Sequence, residues 1–153
     1  MKKVETKRSK LPFEREEFER RVKKVKRRME DEEVEVMLVT SPTNIYYLTG
    51  YNAFSFYVPQ FLVVPLDRDL FFVPRSIDRP SSRETTWLED EMLKPYGEEY
   101  IDHYVNYPDP KHPIDFLIDL FRSEGLDDRV IGMELDDYYC RAFYYRSIAE
   151  ELP

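Results

Sequence analysis

The side chains in this sequence that could do chemistry are few and scattered. The two histidines, His103 and His112, belong to no HExxH or other short metal-ligand spacing. Asp102 and His103 are neighbours, but adjacent residues of a strand point to opposite faces, so the plain reading of His103 is a half-exposed histidine. Glu134, Asp136 and Asp137 are the densest acidic cluster after an apolar run. Carboxylates at a strand end can hold a metal, yet Asp-Asp ahead of a helix is the pattern of an N-cap, and capping is the reading adopted. Ser41 and Ser55 sit in no G-x-S-x-G elbow, and the four glycines form neither a GxGxxG nor a Walker loop. Cys140 opens a segment expected to be helical, where a thiolate could be stabilised; with no matching histidine motif it reads as a small buried residue. The pairs Tyr46-Tyr47, Tyr138-Tyr139 and Tyr144-Tyr145 read as half core and half surface. The chain therefore carries no catalytic constellation of its own.

What remains distinctive is residues 41–60, SPTNIYYLTGYNAFSFYVPQ. This stretch places a helix start, a glycine stop and an aromatic cluster between two apolar strand-like runs. A connection so costly to order is expected to present something.

Composition bounds the alternatives. With 153 residues, one domain is the simplest organisation, with residues 1–10 a polar, disordered tail and residues 11–153 the folded unit. Twelve Tyr, ten Phe and one Trp supply a bulky core or an interface. The net charge of −8 is uneven: residues 1–33 carry +4 and the remainder −12. That acid excess argues against nucleic acid as a partner. The basic run at residues 20–28, RRVKKVKRR, continues a helical apolar stripe and reads as a wet helix face rather than a nucleic-acid or membrane surface. A single cysteine gives no internal disulfide and fits a cytoplasmic setting. No apolar run reaches the roughly 18–20 residues of a membrane span, and MKKVETKRSK lacks the apolar centre of a signal peptide.

The elements follow from periodicity. Leu11-Pro12-Phe13 opens a helix with Phe18, Val22, Val25 and Met29 on one face, ending near residues 30–33. Residues 34–40 make a buried strand, and 45–48 a short helix stopped by Gly50. A second strand spans 56–64, with Pro59 implying an edge or bulge, and a turn at 65–69 leads to an antiparallel third strand at 70–73. Helix is expected within 82–93, with a strand near 85–88 as the alternative. A strand at 101–105, a stiff connector at 107–113 and a helix at 114–122 follow. A strand at 129–133 then leads to a last helix over 138–152, capped by Asp136 or Asp137. The sum is an α/β fold with a mixed β-sheet flanked by helices.

The segment TSPTNIYYLTGY, with Ser41, Asn44, Ile45, Tyr47, Leu48, Thr49 and Gly50, resembles the N-terminal domain of the creatinase/prolidase/aminopeptidase P metallohydrolases, after a helix with the look of EFERRVKKVKRRM. The likeness extends over nearly the whole chain. GYNAFSFYVPQ, IDHYVNYPDPKHPIDFL and IGMELDDYYCRAFYYRSIAEELP look most like the ectoine hydrolase branch. The resemblance implies a ribonuclease H-like motif. It also implies a C-terminal catalytic domain, absent from this chain, in which two divalent ions (Mn, Co or Zn) on Asp, Asp, His, Glu and Glu cleave a C–N bond of a small peptide or amide. No metal or cofactor is expected in this chain. Its implied work is to cap the active site and support a homodimer. Tyr51, Phe54 and Tyr57 are the candidates to wall the substrate, and Arg75 to meet a substrate carboxylate. Phe54 and Tyr57 as plain packing is the competing reading, and a stand-alone interaction module of the same fold is the alternative to a capping domain.

Overall fold

The computed structural model describes residues 11–53, 58–100 and 111–152. Helix α1 (Arg15–Asp31) leads into β1 (Val36–Val39), helix α2 (Pro42–Thr49), β2 (Phe61–Pro65) and β3 (Phe71–Val73). Helix α3 (Arg79–Thr85), helix α4 (Pro113–Ser123), β4 (Ile131–Met133) and helix α5 (Ala142–Glu151) complete the order, with single 3-10 turns at Ser76–Asp78 and Asp90–Met92. The sheet runs β3-β2-β1-β4. β2 is antiparallel to both β3 and β1, and β4 is parallel to β1.

Alternation along the strands divides the core in two. Val36 and Leu38 of β1, Phe61 and Val63 of β2 and Phe71 and Val73 of β3 face α4 and α5, where Leu117, Phe121, Tyr144 and Ile148 close the layer. Val39, Leu62, Val64 and Phe72 point the other way, onto Met29 of α1 and Ile45 and Leu48 of α2. Each such side chain, fully withdrawn from water, contributes roughly 1.5–3 kcal/mol. The expected α1 stripe holds, with Phe18 and Met29 buried and Val22 and Val25 half-buried.

Several expected boundaries move, each for a local reason. Leu11-Pro12-Phe13 is a bend, and helix begins only at Arg15. Pro59 precedes β2 rather than lying in it, and β2 is an interior strand, not an edge. Helix within 82–93 reduces to α3, which begins earlier with Pro80 in its first turn, and to the 3-10 turn at Asp90–Met92; the alternative strand at 85–88 does not form. The last helix starts at Ala142, not Tyr138, and its N-cap is Arg141. Asp137 instead accepts the Tyr139 N–H on its side chain at 2.8 Å and the Cys140 N–H on its carbonyl at 3.1 Å, so it folds a turn in place of a cap. The expected strand at 101–105, and most of the connector at 107–113, lie outside the described residues.

Candidate functional site

α2 and the connection after it form the centre of the candidate site. Pro42 occupies the first turn of α2, and Gly50 ends it at φ 80°. A Cβ on Gly50 would stand 3.1 Å from Phe18 Cζ and 3.1 Å from the Thr85 carbonyl, so glycine is required by both backbone and space. Ser41 makes no side-chain cap. Glu134, at the end of β4, accepts the Thr40 N–H at 2.6 Å and the Ser41 N–H at 2.8 Å on Oε2, and the Asn44 side-chain amide at 2.6 Å on Oε1. At the other end, Arg21 donates to the Tyr47 carbonyl at 2.9 Å, and the Trp87 indole N–H to the Leu48 carbonyl at 2.8 Å.

Beyond Gly50, Tyr51 is 3% exposed, its ring centroid 4.7 Å from that of Phe72. Its hydroxyl accepts from Gln60 Nε2 at 3.1 Å, a bond that ties the two roots of the connection. The Tyr96 hydroxyl donates to the Pro59 carbonyl at 2.6 Å and steadies the returning root. Burial, with the nearby Asp78 charge behind it, pushes the Tyr51 phenol up; burial likewise drives the Tyr96 phenol well above its usual range. Gln60 also bonds the Asp78 carboxyl, whose pKa burial raises against the opposing pull of Arg75.

Arg75 is engaged by Glu98: its Nε reaches Oε2 at 3.0 Å and Oε1 at 3.2 Å, and its Nη2 also donates to Oε2. Ser76 adds a 2.9 Å bond to the same carboxylate. Hydrogen bonding from Arg75 holds Glu98 below the usual glutamate range. Tyr51 with Gln60, and Arg75 with Glu98, thus form two polar pairs at the base of the aromatic connection, with the Asp78 carboxyl influenced by both. Phe54 and Tyr57 lie outside the described residues.

The other candidates have structural employment. His112 caps α4, its Nδ1 accepting from the Ile114 N–H at 3.0 Å while Asp115 accepts the His112 N–H at 2.9 Å. His103 lies outside the described residues. Cys140 is buried, and burial raises its thiol pKa. Within the basic run, Arg21 and Lys26 turn inward. Lys26 donates to the Leu66 and Arg68 carbonyls of the β2–β3 turn. Arg21, 9% exposed, stacks its guanidinium 4.4 Å from the Phe13 ring and 4.5 Å from the Tyr47 ring. No sequence signal marked Arg21, Trp87 or Glu98, or the pairing of Glu134 with Ser41 and Asn44, because the partners come from distant segments.

Among the described residues no three His, Cys, Asp or Glu side chains gather as a metal ion requires. No helix of the described residues is long and apolar enough to cross a membrane.

Residues 21–153 match the creatinase/prolidase N-terminal domain. The chain belongs to that family. Its sequence is 35% identical over 144 residues to the ectoine hydrolase of Halomonas elongata, covering 94% of this chain and 35% of that protein. It is 39% identical, again over 144 residues, to the uncharacterized hydrolase/peptidase y4tM of Sinorhizobium fredii, covering 94% and 36%. The chain therefore spans about a third of the length of these curated relatives. Among solved structures, the N-terminal domain of an Xaa-Pro dipeptidase from Lactobacillus brevis superposes with a TM-score of 0.69 at 15% identity, covering 87% of this chain and 88% of that one. Dipeptidase PepE from Mycobacterium ulcerans gives 0.67 at 16% identity, covering 92% of this chain and 33% of that one. The mixed sheet flanked by helices is thus the fold of creatinase/prolidase N-terminal domains.

Proposed function

We propose that this creatinase/prolidase N-terminal domain is the non-catalytic part of a cytoplasmic dinuclear-metal hydrolase of the Xaa-Pro peptidase, creatinase or ectoine hydrolase type, where it caps the active site and supports a homodimer. The observation that carries the reading is the coverage. Nearly all of this chain corresponds to about a third of a relative named as an ectoine hydrolase. The two divalent ions and the bond-making belong, in this reading, to the catalytic domain. This domain's contribution is to position substrate and exclude water. The bonds from Tyr51 to Gln60 and from Tyr96 to Pro59 support it, because they fix both roots of the aromatic connection. Phe54 and Tyr57 would wall the substrate from that connection. Arg75 would meet a substrate carboxylate by exchanging its fork from Glu98.

The test is made in the full-length parent protein. Phe54→Ala and Tyr57→Ala are expected to lower kcat/KM for an Xaa-Pro dipeptide or ectoine by roughly tenfold or more, with metal content intact. This chain alone is expected neither to take up manganese, cobalt or zinc stoichiometrically nor to hydrolyse either substrate. Full activity in both variants removes the capping role. Metal uptake with turnover by the chain alone removes the assignment of catalysis elsewhere.

A second reading, a stand-alone interaction module, draws on Leu135, Tyr138 and Tyr145, which are large, apolar and exposed. A reading frame that continues into two Asp, one His and two Glu at catalytic-domain spacing favours the first reading, and a stop codon after Pro153 the second.

A further inference from the structure

Glu134 plays no part in the capping role, yet few side chains in the molecule are so completely engaged. Both its oxygens are filled, by two backbone N–H groups and one amide at the start of α2, across 90 to 94 residues of sequence. The Ser41 N–H is one of the groups a helix leaves unsatisfied at its positive end, and the Thr40 N–H and the Asn44 amide flank it. α2 has only eight residues, about 12 Å of helix, too short to persist unaided. Arg21 and Trp87 grip its other end: besides the indole bond, the Trp87 N–H donates to the Thr49 carbonyl at 3.2 Å. Thr49 Oγ1 then accepts the Tyr51 N–H at 3.1 Å, so α2 hands its position directly to Tyr51.

We propose that Glu134 is a positioning residue: its carboxylate seats the first turn of α2, and α2, as a short rod held at both ends, sets where Gly50 and Tyr51 leave the core. β4 and the Tyr51 corner are thereby coupled through one side chain. An effect on activity rests on the proposed function; the seat itself does not.

Trp87 is the only tryptophan, and it touches the far end of the rod, so its emission reports the seat. In the purified chain, Glu134→Ala is expected to shift Trp87 emission to longer wavelength. Added acetate or formate, able to refill the vacated cluster of N–H donors, is expected to reverse the shift. Glu134→Gln, which keeps one acceptor oxygen and the side-chain shape, is expected to shift it less. Unchanged emission in Glu134→Ala overturns the proposal. So does a shift that neither small carboxylate reverses and that Glu134→Gln matches, since that is general loss of packing. In the full-length enzyme, Glu134→Ala is expected to raise KM about tenfold with kcat and metal content unchanged, the signature of weakened substrate binding at a displaced Tyr51 corner. A reversible Trp87 shift with unaltered KM upholds the seat and counts against the capping function instead.

Discussion

Replacing Arg21 by alanine tests how α1 and α2 are joined. The guanidinium donates to the Tyr47 carbonyl at 2.9 Å and to Glu17 Oε1 at 2.8 Å, and it lies between the rings of Phe13 and Tyr47. A hydrogen bond from a charged donor contributes about 1.5–3 kcal/mol. Stacking on aromatic faces adds about 0.5–2 kcal/mol, and the solvent-screened pair with Glu17 adds little. Because these act on one side chain they do not simply add, and a loss of about 3 kcal/mol is expected. For a domain of this length each kcal/mol lowers Tm by roughly 2–4 °C, so Arg21→Ala should melt about 6–12 °C lower. Urea unfolding followed by Trp87 emission and by circular dichroism gives the free energy directly. Arg20, which pairs with Glu17 at an exposed position, is the control, and Arg20→Ala should stay within about 0.5 kcal/mol of the parent. Arg21→Lys should recover little, since an ammonium lacks the planar fork and stacks poorly. If Arg21→Ala were as mild as Arg20→Ala, the inward-turned guanidinium would be no more than another surface charge and the reasoning would fail.

Two further outcomes follow from the charged and reactive groups. Glu98 is held below the usual glutamate range by Arg75, so its pairing stabilises the fold above the unfolded-state pKa and is lost as pH falls through the depressed folded value. Glu98→Gln should accordingly melt below the parent at pH 7, with the gap closing as pH is lowered beneath the glutamate range; a gap that persists in acid would refute the pairing. Cys140 is buried with its thiol pKa raised first by burial. Its reaction with a disulfide reagent at pH 8 should be on the order of a hundredfold slower in the folded protein than in urea, and equal rates would place the thiol at the surface.

Much of the fold was legible because the signals are local. The α1 stripe, the antiparallel β2–β3 pair and the Gly50 stop all arise from neighbouring residues, and all are present. The boundary errors came where a competing interaction overrode pattern. Asp137 looked like a cap, but its side chain and carbonyl are taken by the next residues, which delays α5 to Ala142. Of the site, the aromatic connection was visible as composition. Its supports were not, because Gln60, Glu98, Glu134 and Arg21 act through partners 9 to 93 or more residues away that no periodicity encodes. The parallel pairing of β1 with β4, which brings Glu134 to α2, is equally non-local.

That geometry gives a physical meaning to the residues on which the family resemblance rests. Ser41 lends a backbone N–H and Asn44 a side-chain amide to Glu134; Thr49 receives the Tyr51 N–H; Gly50 takes a conformation and a space closed to other residues. All four seat or terminate α2. The stretch that identifies the family therefore specifies how a short helix is clamped between β4 and α1. On the proposed capping role, substrate discrimination by this domain is expected from the connection after Tyr51 rather than from the clamped helix. Exchanging residues 52–57 between relatives of different substrate should then transfer KM preference while leaving the fold intact, because Tyr51, Val58, Pro59 and Gln60, which hold the two roots, stay in place.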